Sequence, residues 1–181
     1  MALRFVLLTL LLAAPGLRAQ LFHFGARVGI TPTDSIKALK SPNRDLLAIG
    51  PTAELRLPFG LGGQMDLLYR KRSAVSAAAP GASTWELPIQ AKFTAPGLVL
   101  HPFVSGGYSY QWLGKVYAFQ NESVRRRGFV AGAGLEVRAP LVRVSPEIRF
   151  TRWNKYTGAS APNASQFGPE TQVQLLVGVT F

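Results

Sequence analysis

Apolar and polar residues alternate along most of this chain, most regularly from Gly128 to Trp153. Phe129, Ala131, Ala133, Leu135 and Val137 interleave with Val130, Gly132, Gly134, Glu136 and Arg138. Ala139, Pro140 and Leu141 interrupt the run, which resumes with Val144, Pro146, Ile148 and Phe150 against Ser145, Glu147, Arg149 and Thr151. A period of two puts successive side chains on opposite faces of a strand. Two such runs joined by a few turn residues form a β-hairpin. The unit recurs, predicting eight strands at 22–30, 48–57, 63–72, 84–93, 99–112, 128–138, 143–153 and 171–181. The connections alternate in length: 31–47, 73–83, 113–127 and 154–170 are long, whereas 58–62, 94–98 and 139–142 are tight.

Parity also sorts the charges. One face carries Phe22, Phe24, Val28, Ile30, Ile49, Met65, Leu87, Ile89, Phe93, Leu135, Ile148, Leu175, Val177 and their like, with Lys71 and Arg152 as its charged members, both at strand ends. The other carries Arg27, Glu54, Arg56, Asp66, Arg70, Arg72, Glu86, Lys92, Glu136, Arg138, Arg143, Glu147 and Arg149, including five of the nine acids in the chain. A soluble barrel puts its apolar face inside; a membrane barrel inverts that arrangement. Four features favour inversion. Most strands match the roughly nine to eleven residues that a tilted strand needs to cross a bilayer. Long connections at one end and short ones at the other are the habit of outer-membrane barrels. Tyr69, Trp85, Tyr108, Tyr110 and Trp112 gather toward the long-loop end, like an aromatic girdle at a lipid–water boundary. Phe181, an aromatic on the final strand, looks like the signal that outer-membrane assembly machinery reads. Closure removes the sheet edges that lipid cannot solvate.

The expected fold is therefore all-β: an eight-stranded antiparallel up-and-down transmembrane β-barrel. Its interior charge network comprises Arg27, Glu54, Arg56, Asp66, Arg70, Glu86, Lys92, Glu136, Arg138, Glu147 and Arg149. These residues are expected to neutralise one another across neighbouring strands, at about 0.2–1 kcal/mol per pair. They fill a lumen of a size that side chains can plug, which argues against a wide pore. Pro51, Pro88, Pro102 and Pro146 interrupt strand runs and predict local bulges.

Composition changes the picture in two places. The 181 residues suggest one domain, and the absence of cysteine excludes thiol and disulfide chemistry. The net charge of +11 raises nucleic acid as a partner, but most basic residues alternate with apolar ones inside strands rather than sharing one presented patch. Residues 1–19 read as a cleavable secretory signal: Arg4, an apolar core from Phe5 to Ala14, the break at Pro15-Gly16, then Leu17-Arg18-Ala19 before Gln20. The barrel domain is then 20–181, destined for a bacterial outer membrane.

The segment Trp85-Glu86-Leu87-Pro88-Ile89-Gln90-Ala91-Lys92-Phe93 resembles the E-I-P-x-x-x-K strand of the PorT-like outer-membrane β-barrel family. Pro102-Phe103-Val104-Ser105-Gly106-Gly107-Tyr108, the run from Gly128 to Glu136, and Val177-Gly178-Val179-Thr180-Phe181 are similar too. The resemblance spans about residues 21–181 and implies an outer-membrane barrel. Some members of that broad family support protein secretion or gliding. No motif here selects such a role, and fold-level analogy is weak warrant for function.

No catalytic constellation stands out. His23 and His101 point inward near the short-turn end, without the further ligands that a metal site wants. No G-x-S-x-G element occurs, and an outer-leaflet lipid hydrolase would need its base at the other end. Gly132-Ala133-Gly134 sits inside a strand and lacks the third glycine of a dinucleotide loop, so its small residues relieve crowding in the lumen. Lys115, Arg125, Arg126 and Arg127, in the 113–127 loop, are the candidate contacts to anionic lipid, with lipopolysaccharide as the expected partner. The expectation is a non-enzymatic outer-membrane scaffold acting through its loops, with no cofactor and no metal. A narrow channel or component of a transport or secretion assembly, and a soluble periplasmic ligand-binding barrel, are the alternatives.

Overall fold

The computed structural model describes residues 21–32, 47–72, 82–97, 99–113, 125–139, 141–154 and 170–181. Residues 1–19, expected to be a secretory signal, Lys115 and most of the long connections lie outside the described residues. Nine strand segments follow one another: β1 (Phe22–Ile30), β2 (Leu47–Arg56), β3 (Leu61–Asp66), β4 (Leu68–Arg72), β5 (Ala82–Thr94), β6 (Leu100–Leu113), β7 (Arg125–Arg138), β8 (Arg143–Trp153) and β9 (Thr171–Thr180). β3 and β4 are two halves of one barrel strand, since both lie between β2 and β5. Every neighbouring pair is antiparallel, and β1 pairs with β9 as well as β2, so eight strands close into a barrel with no free edge.

The prolines explain the divided strand. Leu67 N–H donates to the Pro51 carbonyl at 3.0 Å, but Pro51 has no N–H to return the bond. Pro88 comes opposite the same break on β5. The pairing offset is identical on both sides, so no residue is inserted. The ladders through Pro88, Pro102 and Pro146 also keep one register. The bulges expected at the four prolines are therefore absent: a missing donor removes one rung without shifting the pairing.

A second correction concerns β7, which begins at Arg125 rather than at 128. Arg125, Arg126 and Arg127 are strand residues paired with Trp112, Gln111 and Tyr110 of β6, not loop residues. Their sequence is charged enough to read as loop, but the β6 ladder extends to meet them.

The faces are distributed as a membrane barrel requires. Leu135 and Val177 are 45% and 41% exposed, whereas their neighbours Glu136 and Leu176 are 1% and 2% exposed. At the long-loop end Tyr69, Trp85 and Trp112 form one cross-strand row, and the Tyr69 and Trp85 ring centroids are 5.0 Å apart. Tyr108 meets Phe129 edge-on at 6.2 Å. The sequence pattern did not single out a second ring at the short-turn end. There Phe22, Phe24, Phe93 and Phe181 are exposed on the outer wall. Phe59 joins them from the tight turn Pro58–Gly60, where it adopts a φ of 65°, a conformation bulky side chains rarely use.

Candidate functional site

The chemistry-bearing residues of this chain lie in the barrel interior, in three layers. The middle layer is the driest. Arg27 and Arg149 are fully buried with Glu147 and Asp66. Arg149 donates from Nη2 to Asp66 at 2.7 Å and from Nε to Glu147 at 2.8 Å. Arg27 donates to Glu147 and lies 3.5 Å from Asp66. Thr52 Oγ1 donates to the second Asp66 oxygen at 2.5 Å. Two cations and two carboxylates thus balance where water cannot screen them, the condition under which buried charge is tolerated.

Toward the short turns, Glu54 and Glu136 are shared among Arg56, Lys92 and Arg138. Arg56 reaches Glu136 at 2.5 Å and Glu54 at 3.2 Å. Lys92 contacts Glu54 at 2.9 Å and lies over the Phe103 ring at 4.2 Å. Arg138 donates to Glu136 at 2.8 Å. His23 and His101 are buried at this end, and His23 Nδ1 bonds the Phe181 carbonyl at 3.2 Å. Toward the long loops, Glu86 lies 3.4 Å from Arg70 and accepts from Ser109 at 3.2 Å and Gln174 at 3.1 Å. Arg126 also points into this layer, bonded to Gln111 and stacked 4.5 Å over Trp153. It is therefore a lumen residue and no lipid contact, because parity turns it inward between outward-facing Arg125 and Arg127.

Partner choice differs from the expectation. The Arg70–Glu86 pair joins adjacent strands, as expected. Three contacts instead join strands on opposite sides of the eight-strand ring: Arg56 on β2 to Glu136 on β7, Asp66 on β3 to Arg149 on β8, and Glu86 on β5 to Gln174 on β9. Nothing in a linear pattern distinguishes these from neighbour pairs. Each bridge spans the lumen, and the three lie at successive heights.

Small residues make room for this packing. Arg27 lies between Gly50 and Gly178 on its two neighbouring strands, and Arg149 faces Gly132. A Cβ on Gly132 would sit 2.5 Å from Glu147 Oε1 and 2.6 Å from Ser105 Oγ. Gly132→Ala is accordingly expected to destabilise the folded barrel by about 1–3 kcal/mol, the usual cost of overpacking. A urea titration followed by gel mobility would read it; an unchanged midpoint would mean that Glu147 can move aside freely.

No family model matches the chain, and no curated protein matches it. Among solved structures it is similar to Neisserial surface protein A, with a TM-score of 0.57 and 11% identity over 88% of this chain and 94% of that one. It is also similar to Ail, the attachment invasion locus protein of Yersinia pestis, with a TM-score of 0.53 and 11% identity over 88% and 95% of the two chains. The outer membrane protein OprG of Pseudomonas aeruginosa gives 0.53 and 10% over 88% and 90%. At such identities the likeness shows the fold alone, a closed eight-stranded barrel of the outer-membrane kind. The finer resemblance to the PorT-like family gains nothing from these comparisons.

Proposed function

We propose that this chain is an integral, non-enzymatic barrel of a bacterial outer membrane. On this reading it is exported by its 1–19 segment and acts as a scaffold through the residues that connect its strands at the long-loop end. The observation that carries this reading is the inverted barrel: an apolar outer wall around a core of paired charges. Such a wall in water would expose a far larger apolar patch than soluble monomers tolerate. In lipid it has the height and aromatic margins of a transmembrane band.

Lipopolysaccharide phosphates are the proposed lipid partners. Arg125 and Arg127 are exposed on the outer wall beside Trp112 and Tyr110, and Arg152 is exposed on β8 opposite Phe129. Guanidinium forks beside a girdle suit headgroup phosphates at the boundary. Arg126 drops out of the set proposed from sequence.

The alternative is a narrow channel or a transport component. The three lumen-spanning bridges weigh against it. The test has two parts. The protein should leave washed membranes only with detergent and show heat-modifiable gel mobility. Reconstituted in planar bilayers, it should give no unitary conductance; discrete steps would favour the channel instead.

A further inference from the structure

The short-turn mouth of the barrel holds more positive charge than its own carboxylates can match. A cavity of about 360 Å³ opens there, within the size range of small-ligand pockets. Arg56, Lys92, Arg138 and Arg143 line it with a single carboxylate, Glu54, and Glu136 lies behind. Both carboxylates are already engaged: Glu54 by Arg56 and Lys92, Glu136 by Arg56, Lys92 and Arg138. Four basic side chains thus face two occupied carboxylates. Among the described residues Arg143 has no carboxylate partner, and its Nη1 is buried with no hydrogen bond. Arg143 also sits directly opposite Arg138 in the β7–β8 ladder. Like charges paired across strands destabilise a sheet. Gly60 of the tight turn and Gly62 and Gly63 of β3 complete the lining and add no charge to it.

We propose that this mouth binds an oxyanion of the phosphate class, gripped by Arg138 and Arg143 with Arg56 and Lys92 supplying further positive field. Two guanidinium forks on paired residues at one cavity match the several acceptor oxygens of a phosphate, and the anion cancels the repulsion between them. The chemistry is common to free phosphate and to a lipid headgroup. The site is internal, so the inference does not depend on what surrounds the barrel.

The test uses the full chain folded in dodecyl maltoside, which carries no phosphate. Inorganic phosphate and dihexanoylphosphatidic acid below its micellar concentration are titrated separately by calorimetry. Saturable binding of either is expected, weakened about tenfold in Arg143→Gln, the effect of losing one charge-assisted contact. Arg138→Gln should weaken it similarly, and Lys71→Gln, on the outer wall, should not. Binding of phosphate names a free ion as the ligand; binding of the lipid alone names a headgroup. Arg143 holds no carboxylate, so its replacement is expected to fold normally by gel mobility, and Arg138→Gln carries the test if it does not. The proposal is overturned if wild type binds neither probe saturably, or if both arginine variants bind as tightly as wild type.

Discussion

Glu147→Ala is expected to cost about 3–5 kcal/mol of folding stability, the penalty for stripping one partner from a buried ion pair. Glu147 is 3% exposed and receives bonds from both Arg27 and Arg149. Without it, two fully buried guanidiniums share Asp66, helped only by Glu54 at 3.8 Å from Arg27, and the middle of the lumen carries an uncompensated positive charge. The same argument predicts non-additivity. In Glu147→Leu combined with Arg149→Leu, charge is removed in balance, so the double variant should lose less than the sum of its single changes. Urea titration in vesicles, read by gel mobility, measures both. A single-variant loss under about 1 kcal/mol would be the size of a solvated surface pair and would contradict a dry central layer.

One residue further along β8, Ile148→Arg should cost about 2–4 kcal/mol, the penalty for a cation near the bilayer midplane on the lipid face. Ile148 is 59% exposed and sits between the two most buried charges of the strand, hence at the same mid-height. Leu61→Arg, at the start of β3 beside the tight turn, should cost only about 0–1 kcal/mol because the interface tolerates charge. In a water-soluble barrel both changes would be ordinary surface substitutions within about 0.5 kcal/mol. The depth dependence, measured by the same titration in vesicles, therefore reports the surroundings of the outer wall. Equal, negligible effects at both positions would remove the membrane reading.

Much of this was legible because the side-chain period of a strand is two. Leu135 and Glu136 are adjacent in sequence, and alternation alone assigned them to opposite walls; the structure has them 45% and 1% exposed. Apolar membership similarly marked Phe22, Phe24 and Phe93 as outward. Their grouping into a rim was not visible, since Phe lacks the polar tip that identifies a Tyr or Trp girdle, and Phe59 sits in a turn with no strand parity. Phe103, Val130 and Trp153 are buried in the lumen among the charges. Parity places them inward, but nothing in composition says that a charged lumen also needs apolar filler such as the ring beneath Lys92.

Errors arose where local rules met a continuous ladder. Three consecutive arginines read as loop, yet β6 offers them paired backbone groups as far as Trp112. Four prolines read as bulges, yet losing one donor is cheaper than shifting every side chain to the wrong face, which a one-residue slip would do.

By itself the sequence determined the number of barrel strands, which side chains face which wall, and the gathering of acids among bases on the inner one, because each follows from alternation along a single strand. Only the closed tertiary structure decided that Asp66 meets Arg149, that Arg56 meets Glu136, and that Arg143 is left facing Arg138 without a carboxylate. Those outcomes depend on register and curvature around the whole ring, which bring residues from opposite walls within hydrogen-bonding reach. No period along the chain encodes a distance across the lumen.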